Sequence, residues 1–398
     1  MTRNASASFR LPPSSFRLVL LEPYLTGSHK NWAQEYARYS THSVTILSLP
    51  GRFWKWRMHG GAVTLAQQFN ALPVSPDLIL ASDMLDLTTF LALTRPRSAR
   101  IPVALYFHEN QLTYPWSPTD RDVQAKRDSH YGFINYASAL AADALFFNSA
   151  YHLDSFFEAL PKFLKHFPDF NEADSVNALR RKAKVLPLGL DLRRFKIQNS
   201  KLKIQNSNPK TPNQKPKTEN PQLILWNHRW EYDKNPADFF AALYALVERG
   251  LDFKLVILGE NFRNSPAEFD TARKRLADHI LHIGYAKNFD EYAAWLRRSD
   301  ILPVTSRHDF FGVSVAQAIY CGCYPLLPNR LAYPDLLPPK FHAQHLYHSQ
   351  DELVDKLSRL LQTPVAPPPA LARAIARFDW QKMAPRYDRT LQHLQQKH

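Results

Sequence analysis

Short runs of Val, Ile, Leu and Phe recur along the chain, separated by longer stretches whose apolar positions are spaced for helices. In the first half the strand-like runs are Phe16–Glu22, Ser43–Leu49, Leu78–Ser82, Val103–His108, Ala144–Asn148 and Lys184–Leu188. The second half repeats the plan with Leu223–Asn227, Phe253–Gly259, Ile280–Gly284, Ile301–Thr305 and Tyr324–Leu327. Apolar runs that do not alternate with polar residues suit strands covered on both faces, and their alternation with helices predicts βαβ units around parallel sheets. The expected fold is α/β, with two doubly wound domains. Ligands of such sheets bind beyond the carboxyl ends of the strands, so the residues just after each strand carry the functional weight.

The pattern breaks at residues 196–221, which are rich in Lys, Asn, Gln, Pro and Ser and read as a low-complexity linker. Residues 1–15 read as a disordered leader without the apolar core of a secretory signal. The expected division is therefore leader 1–15, N-terminal domain 16–195, linker 196–221, C-terminal domain 222–370, and a C-terminal helical segment 371–398. A chain of 398 residues is long enough for two cores.

Charge and cysteine use narrow the classes. The formal net charge of +14 suits a polyanion or a phosphate-bearing small molecule, and the linker supplies five of those charges. No apolar run approaches the roughly 20 residues of a membrane span, so no membrane insertion is expected. Cys321 and Cys323 are too close for an ordinary disulfide and have no second ligand pair at zinc spacing. Both are expected reduced and buried, in a cytoplasmic protein.

Four segments concentrate polar residues just after strands. Gly27, Ser28 and His29 follow the first strand and precede a helix expected at about Trp32. A glycine there lets backbone amides approach a phosphate or sugar, although an ordinary capped turn reads the same way. The fourth strand ends in His108, Glu109, Asn110 and Gln111. His108 suits a hydrogen bond to a sugar hydroxyl, proton acceptance, or stabilisation of leaving-group charge. Arg229 and Lys234 share the loop after the first strand of the second half and can grip one diphosphate. Finally, Asp309, Phe311, Gly312, Val313 and Gln317 lie on a strand–loop–helix turn whose free amides can meet the donor. Cations and amides there offset charge on a departing diphosphate without a metal, and no paired carboxylates suit a divalent ion.

The order of these features resembles family 4 glycosyltransferases of the GT-B fold, in which two Rossmann-like domains face each other across a cleft. Leu186-Pro187-Leu188-Gly189-Leu190-Asp191, at the expected domain crossing, belongs to the same pattern. Within that family Gly27-Ser28-His29-Lys30, Tyr106 to Pro115, Phe310-Phe311-Gly312-Val313 and Tyr320 to Pro325 are similar to the tRNA-queuosine α-mannosyltransferases. The resemblance implies GDP-mannose as donor, queuosine in a tRNA anticodon loop as acceptor, retention of configuration, and a C-terminal helix that crosses back to the first half; no cofactor is expected. It assigns Arg229 and Lys234 to the diphosphate, Asp309, Gly312 and Val313 to the donor sugar, Gln317 to the ribose, and His108 to the transferred sugar. The expected catalytic set is His108, Arg229, Lys234 and Asp309; Gly27, Ser28, His29 and Phe311 join the donor contacts. Candidate acceptor contacts are Glu109, Asn110, Tyr114, Trp116, Tyr131 and Asn135, the aromatics as stacking partners for unpaired bases. Where the family shows two Glu eight residues apart, this chain has Asp309 and Gln317, a shorter acid and an uncharged amide. Two alternatives stand beside this reading: a family 4 transferase with another nucleotide-sugar or a glycan acceptor, and a degenerate protein that binds tRNA or nucleotide-sugar without turnover.

Overall fold

A computed structural model describes residues 15–116, 120, 122, 130–196, 221–260 and 266–397. Apart from Ser15, Lys196 and Pro221, the expected leader and linker lie outside the described residues. The chain divides into two compact units, residues 1–190 with 380–398, and residues 191–379.

The N-terminal unit is built on a parallel sheet of β1 (Arg17–Leu25), β2 (Ser43–Pro50), β3 (Leu78–Ser82), β4 (Val103–Phe107), β5 (Ala144–Phe147) and β6 (Ala183–Val185). Their order is β2-β1-β3-β4-β5-β6. β3 and β4 are buried at every position, as their sequences, apolar but for the terminal Ser82, require. Phe107 and Phe147 are register partners on β4 and β5, and their rings stack with centroids 4.6 Å apart. Helices Trp54–Asn70, Leu87–Ser98 and Ala150–Leu164 bury Leu65, Phe69, Phe90, Phe156 and Leu160 against this sheet.

The C-terminal unit repeats the plan with β7 (Gln222–Trp226), β8 (Phe253–Leu258), β9 (Ile280–Gly284), β10 (Ile301–Pro303), β11 (Tyr324–Pro328) and β12 (Leu346–Tyr347), ordered β12-β11-β10-β7-β8-β9. β12 has no counterpart among the expected strands because two residues are too few to show a pattern. Trp226, Phe239, Phe240 and Phe269 anchor the core beneath it.

The expected helical tail from Leu371 is two helices, Pro369–Ile375 and Trp380–Gln395. Asp379, extended at φ −59° and ψ 137°, separates them and marks the change of unit. The second helix packs on the N-terminal unit: Trp380 N donates to Leu190 O at 3.1 Å, and the Trp380 indole fills the space a side chain on Gly189 would need. Only glycine fits there, since a Cβ would lie 2.2 Å from the ring. Among the described residues no helix is long and apolar enough to cross a membrane.

Strand order fixes where ligands can enter. The chain leaves β1 toward β2 on one side and returns to β3 on the other; the same reversal occurs at β7, between β8 and β10. The carboxyl ends of β1 and β3, and of β7 and β10, are therefore the crevices of the two sheets.

Candidate active site

At the first crevice, Gly27 adopts φ +50° and starts its helix at once, five residues before the expected position. The preceding Thr26 is extended and its side chain caps nothing, so the helix start presents exposed Gly27 and Ser28 while His29 turns inward. His29 Nδ1 lies 3.0 Å from Glu22 Oε2, a carboxylate fully buried in the apolar run of β1. Burial alone would discharge the imidazole, but Glu22 overrides it, with help from Asp83 and Glu109, and lifts the His29 pKa to about 9.

His108 sits against this pair, its ring 4.2 Å from that of His29 and edge-on to Trp32. Asp83, at the end of β3, accepts the His108 backbone N–H at 2.8 Å, and Asn148 donates to His108 O at 2.9 Å. Neither ring nitrogen of His108 has a hydrogen-bond partner among the described residues, although both are buried. Burial and the neighbouring His29 charge hold its pKa well below the usual histidine value, so the ring is a neutral donor and acceptor. Glu22 and Asp83 escaped sequence reasoning, yet a carboxylate inside an apolar strand is itself a signal, because it demands a partner. The Glu22, His29 and His108 ligand atoms all lie within 4.8 Å of one another, close enough for an ion.

Several expected acceptor contacts hold the fold instead. Asn135 accepts Gln111 N at 2.7 Å and donates to Asp83 O at 2.9 Å, which uses both ends of a fully buried amide. Asn110 Oδ1 accepts the amides of Leu112 and Thr113 and so forms the turn after β4. Tyr131 is buried between Trp54 and His130, in ring contact with both and with Trp116. Glu109 accepts from Gln111 Nε2 at 2.9 Å, and Tyr114 and Trp116 are half-buried.

At the second crevice, Lys234 is the centre of a charge cluster. Its Nζ donates to His308 O at 2.8 Å and lies 3.0 Å from Asp233 and 3.7 Å from Asp309. Burial opposes the charge, but Asp309 and Asp233 more than offset it and raise the lysine pKa. Arg229, with a half-exposed side chain, pairs with Glu231 at 3.0 Å. The expected pair of cations thus meets three carboxylates, since Trp230-Glu231-Tyr232-Asp233 fills the same loop with countercharge. Burial raises the Glu231 pKa, against the pull of Arg229. His228 is neutral, lowered to about 4 by burial and Lys234, and its Nδ1 meets Ser314 Oγ at 3.2 Å.

Asp309 organises the turn before the helix Val313–Tyr320. Its Oδ1 accepts Gly312 N at 2.8 Å and Phe311 N at 3.3 Å, and its Oδ2 accepts the Tyr333 hydroxyl at 3.2 Å. The Gly312 amide expected at the donor is therefore used within the turn, and the same holds for Phe311. Gly312 takes φ +86°, which leaves Val313 to begin the helix. Gln317 Oε1 accepts the Tyr292 hydroxyl at 2.8 Å. Both cysteines are free; Cys323 is buried as expected, whereas Cys321 is half-exposed.

Two Rossmann-like units, each with a polar cluster at its sheet crevice, have the architecture of the GT-B fold, and with the sequence profiles the class is glycosyltransferase. The sequence profile of group 1 glycosyl transferases matches residues 207–377, and that of the tRNA-queuosine alpha-mannosyltransferase N-terminal domain matches residues 17–190. The fold is that of sucrose-phosphate synthase from Thermosynechococcus elongatus (TM-score 0.64, 12% identity, 96% of this chain and 100% of that one). A UDP-forming alpha,alpha-trehalose-phosphate synthase from Burkholderia xenovorans shares it (TM-score 0.61, 13% identity, 96% and 98%). The chain belongs to the tRNA-queuosine alpha-mannosyltransferase family: it is 34% identical over 351 residues to the Drosophila melanogaster enzyme of that name, covering 87% of each chain. Over half its length it is 24% identical to a GDP-mannose-dependent alpha-(1-6)-phosphatidylinositol dimannoside mannosyltransferase of Mycobacterium tuberculosis, covering 49% of that protein.

Proposed function

We propose that this glycosyltransferase moves mannose from GDP-mannose to queuosine in the anticodon loop of a tRNA, with retention and without a metal or other cofactor, in the cytoplasm. Lys234 carries this reading: a lysine kept charged inside the second crevice suits the developing charge of a departing nucleoside diphosphate. In the reaction the bond from the sugar C1 to the diphosphate oxygen breaks as a bond from C1 to an acceptor hydroxyl oxygen forms, the hydroxyl proton passes to the departing diphosphate, and Lys234 and Arg229 offset the charge that collects there. The Val313 amide, at the helix start, meets the donor sugar, and Asp309 acts by fixing that turn. His108, neutral and with two ring nitrogens to spare, bonds the transferred sugar.

The names of the relatives support this choice of substrates: one is a tRNA-queuosine alpha-mannosyltransferase and the other is GDP-mannose-dependent. Metal independence is supported by Lys234 and Arg229, cations at the second crevice that can offset diphosphate charge without an ion. A different nucleotide-sugar is the second reading, favoured by Gln317, whose carbonyl oxygen is turned to Tyr292 where the family has an acid.

The test incubates the protein with queuosine-bearing tRNA and a panel of nucleotide-sugars, with and without EDTA, and weighs the digested nucleosides. Queuosine heavier by one hexose with GDP-mannose, undiminished by EDTA, is the expected result. An unchanged queuosine mass with every donor refutes the acceptor, hexose addition only from another donor refutes GDP-mannose, and loss of activity in EDTA refutes metal independence.

A further inference from the structure

β2 ends at Pro50, and the chain enters the helix Trp54–Asn70 through Gly51-Arg52-Phe53-Trp54-Lys55-Trp56-Arg57. From Tyr36 to Pro76 the sequence has no Asp or Glu; of the cations in that span Lys55 is paired with Asp120 and Asp122, while Arg52 is exposed. Two aromatic side chains point outward at the helix start: Phe53 is 73% exposed and Trp56 is 63% exposed. Trp54, between them, packs inward on the cluster around Met58 and Tyr131.

Both outward rings are held in place. Phe53 sits at φ +57°, a left-handed conformation costly for a bulky residue, and its carbonyl accepts Arg57 N at 3.0 Å to open the helix. Trp56 lies over Gly60, one turn on: a side chain at Gly60 would place its Cβ 2.4 Å from the indole, so the glycine is what lets the ring rest on the helix backbone. The segment also touches the first crevice. Gly51 packs on Thr26, immediately before Gly27, so closely that a Cβ there would lie 2.3 Å from the Thr26 side chain.

We infer that Phe53 and Trp56, with Arg52 beside them, form a stacking platform for unpaired nucleotides of the RNA acceptor next to the modified base. This rests on the reading that the acceptor is a tRNA anticodon loop. Aromatic faces hold bases of any sequence, and the exposed Arg52 holds a phosphate between them. The same chemistry meets a lipid surface, but a ring laid along a helix over a glycine offers its face, as a base requires, rather than an edge for insertion.

The experiment measures Kd of a fluorescein-labelled anticodon stem–loop by anisotropy, in parallel with KM and kcat for queuosine-bearing tRNA and KM for the nucleotide-sugar. Phe53→Ala/Trp56→Ala should weaken stem–loop binding and raise the tRNA KM by about 10–100-fold. The nucleotide-sugar KM and the unfolding temperature should stay as in wild type, and Trp56→Phe should recover most of the loss. Unchanged stem–loop affinity in the folded double variant overturns the platform, as does loss of binding to anionic phospholipid vesicles with RNA affinity intact. A wild-type protein that binds the stem–loop through these rings yet leaves queuosine unmodified refutes the functional reading while the platform stands.

Discussion

Glu22 Oε2 and His29 Nδ1 meet at 3.0 Å across the turn that joins β1 to its helix, with both side chains buried. The pair keeps His29 charged beside a neutral His108, so neither imidazole changes its charge near neutral pH. It also makes stability depend on pH with a defined sign. The folded pKa of His29, about 9, lies above its ordinary 6.5, so the contribution is complete below pH 6.5 and is lost as pH rises through 9. Glu22→Gln is expected to cost roughly 3 kcal/mol at pH 6, with the gap from wild type narrowing above pH 9. Urea unfolding at pH 6, 8 and 10 measures it, and a gap independent of pH would falsify the pairing.

Arg229 and Lys234, though both assigned to the diphosphate, should differ in what else they lose. Arg229 is half-exposed and its pair with Glu231 lies near the surface, so Arg229→Ala should change stability by no more than about 1 kcal/mol. Lys234 lies 3.0 Å from Asp233 and 3.7 Å from Asp309, and Lys234→Ala leaves one buried and one half-buried carboxylate without that cation. That change should cost about 3–5 kcal/mol. Turnover should fall in each by about 10²-fold or more. Comparing kcat with unfolding midpoints separates the roles; wild-type turnover in both variants removes them from the chemistry.

The eleven strand-like runs each overlap an observed strand, most closely where the strand is buried at every position, as in β3 and β4, because a strand covered on both faces is written directly in apolar residue type. The residues just past them were legible for the same reason, and they place His108, Lys234 and Asp309 at the two crevices. Which polar groups face a ligand was not legible. Asn110 and Asn135 look like binding residues in sequence, but a buried backbone turn needs amide partners as much as a substrate does, and tertiary packing assigned them to it. Glu231 and Asp233 were legible as residues, yet their pairing with Arg229 and Lys234 depends on how a short 3-10 turn at Tyr232–Lys234 folds the loop onto itself.

Glu231 follows from that pairing as a brake on donor binding. It holds Arg229 at 3.0 Å, so an incoming diphosphate competes with it for the guanidinium. Glu231→Gln removes the charge and keeps the shape, and the nucleotide should then bind roughly twofold to fivefold more tightly. Calorimetric titration with GDP measures the change. Equal or weaker binding by the variant places the diphosphate away from Arg229.

Asp388 tests what holds the returning C-terminal helix on the N-terminal unit. Its Oδ1 accepts the Tyr36 hydroxyl at 2.9 Å and Ser40 Oγ at 2.7 Å. Its Oδ2 accepts Thr41 N and Thr41 Oγ1, each at 2.8 Å. With the residue only 6% exposed, removing the carboxylate strands four donors where little water reaches them. Asp388→Ala should therefore cost about 3 kcal/mol or more, and Asp388→Asn less, because one carbonyl oxygen remains to accept. Two units can unfold separately, so a single midpoint would blur the effect. Hydrogen exchange resolves it: protection should fall at Thr41 and along Trp380–Gln395, while β7, β8 and the Lys234 loop keep theirs and GDP affinity is unchanged. Uniform loss of protection through both units would instead mean that Asp388 supports the whole chain, and no change at Thr41 would mean that water replaces the carboxylate at little cost.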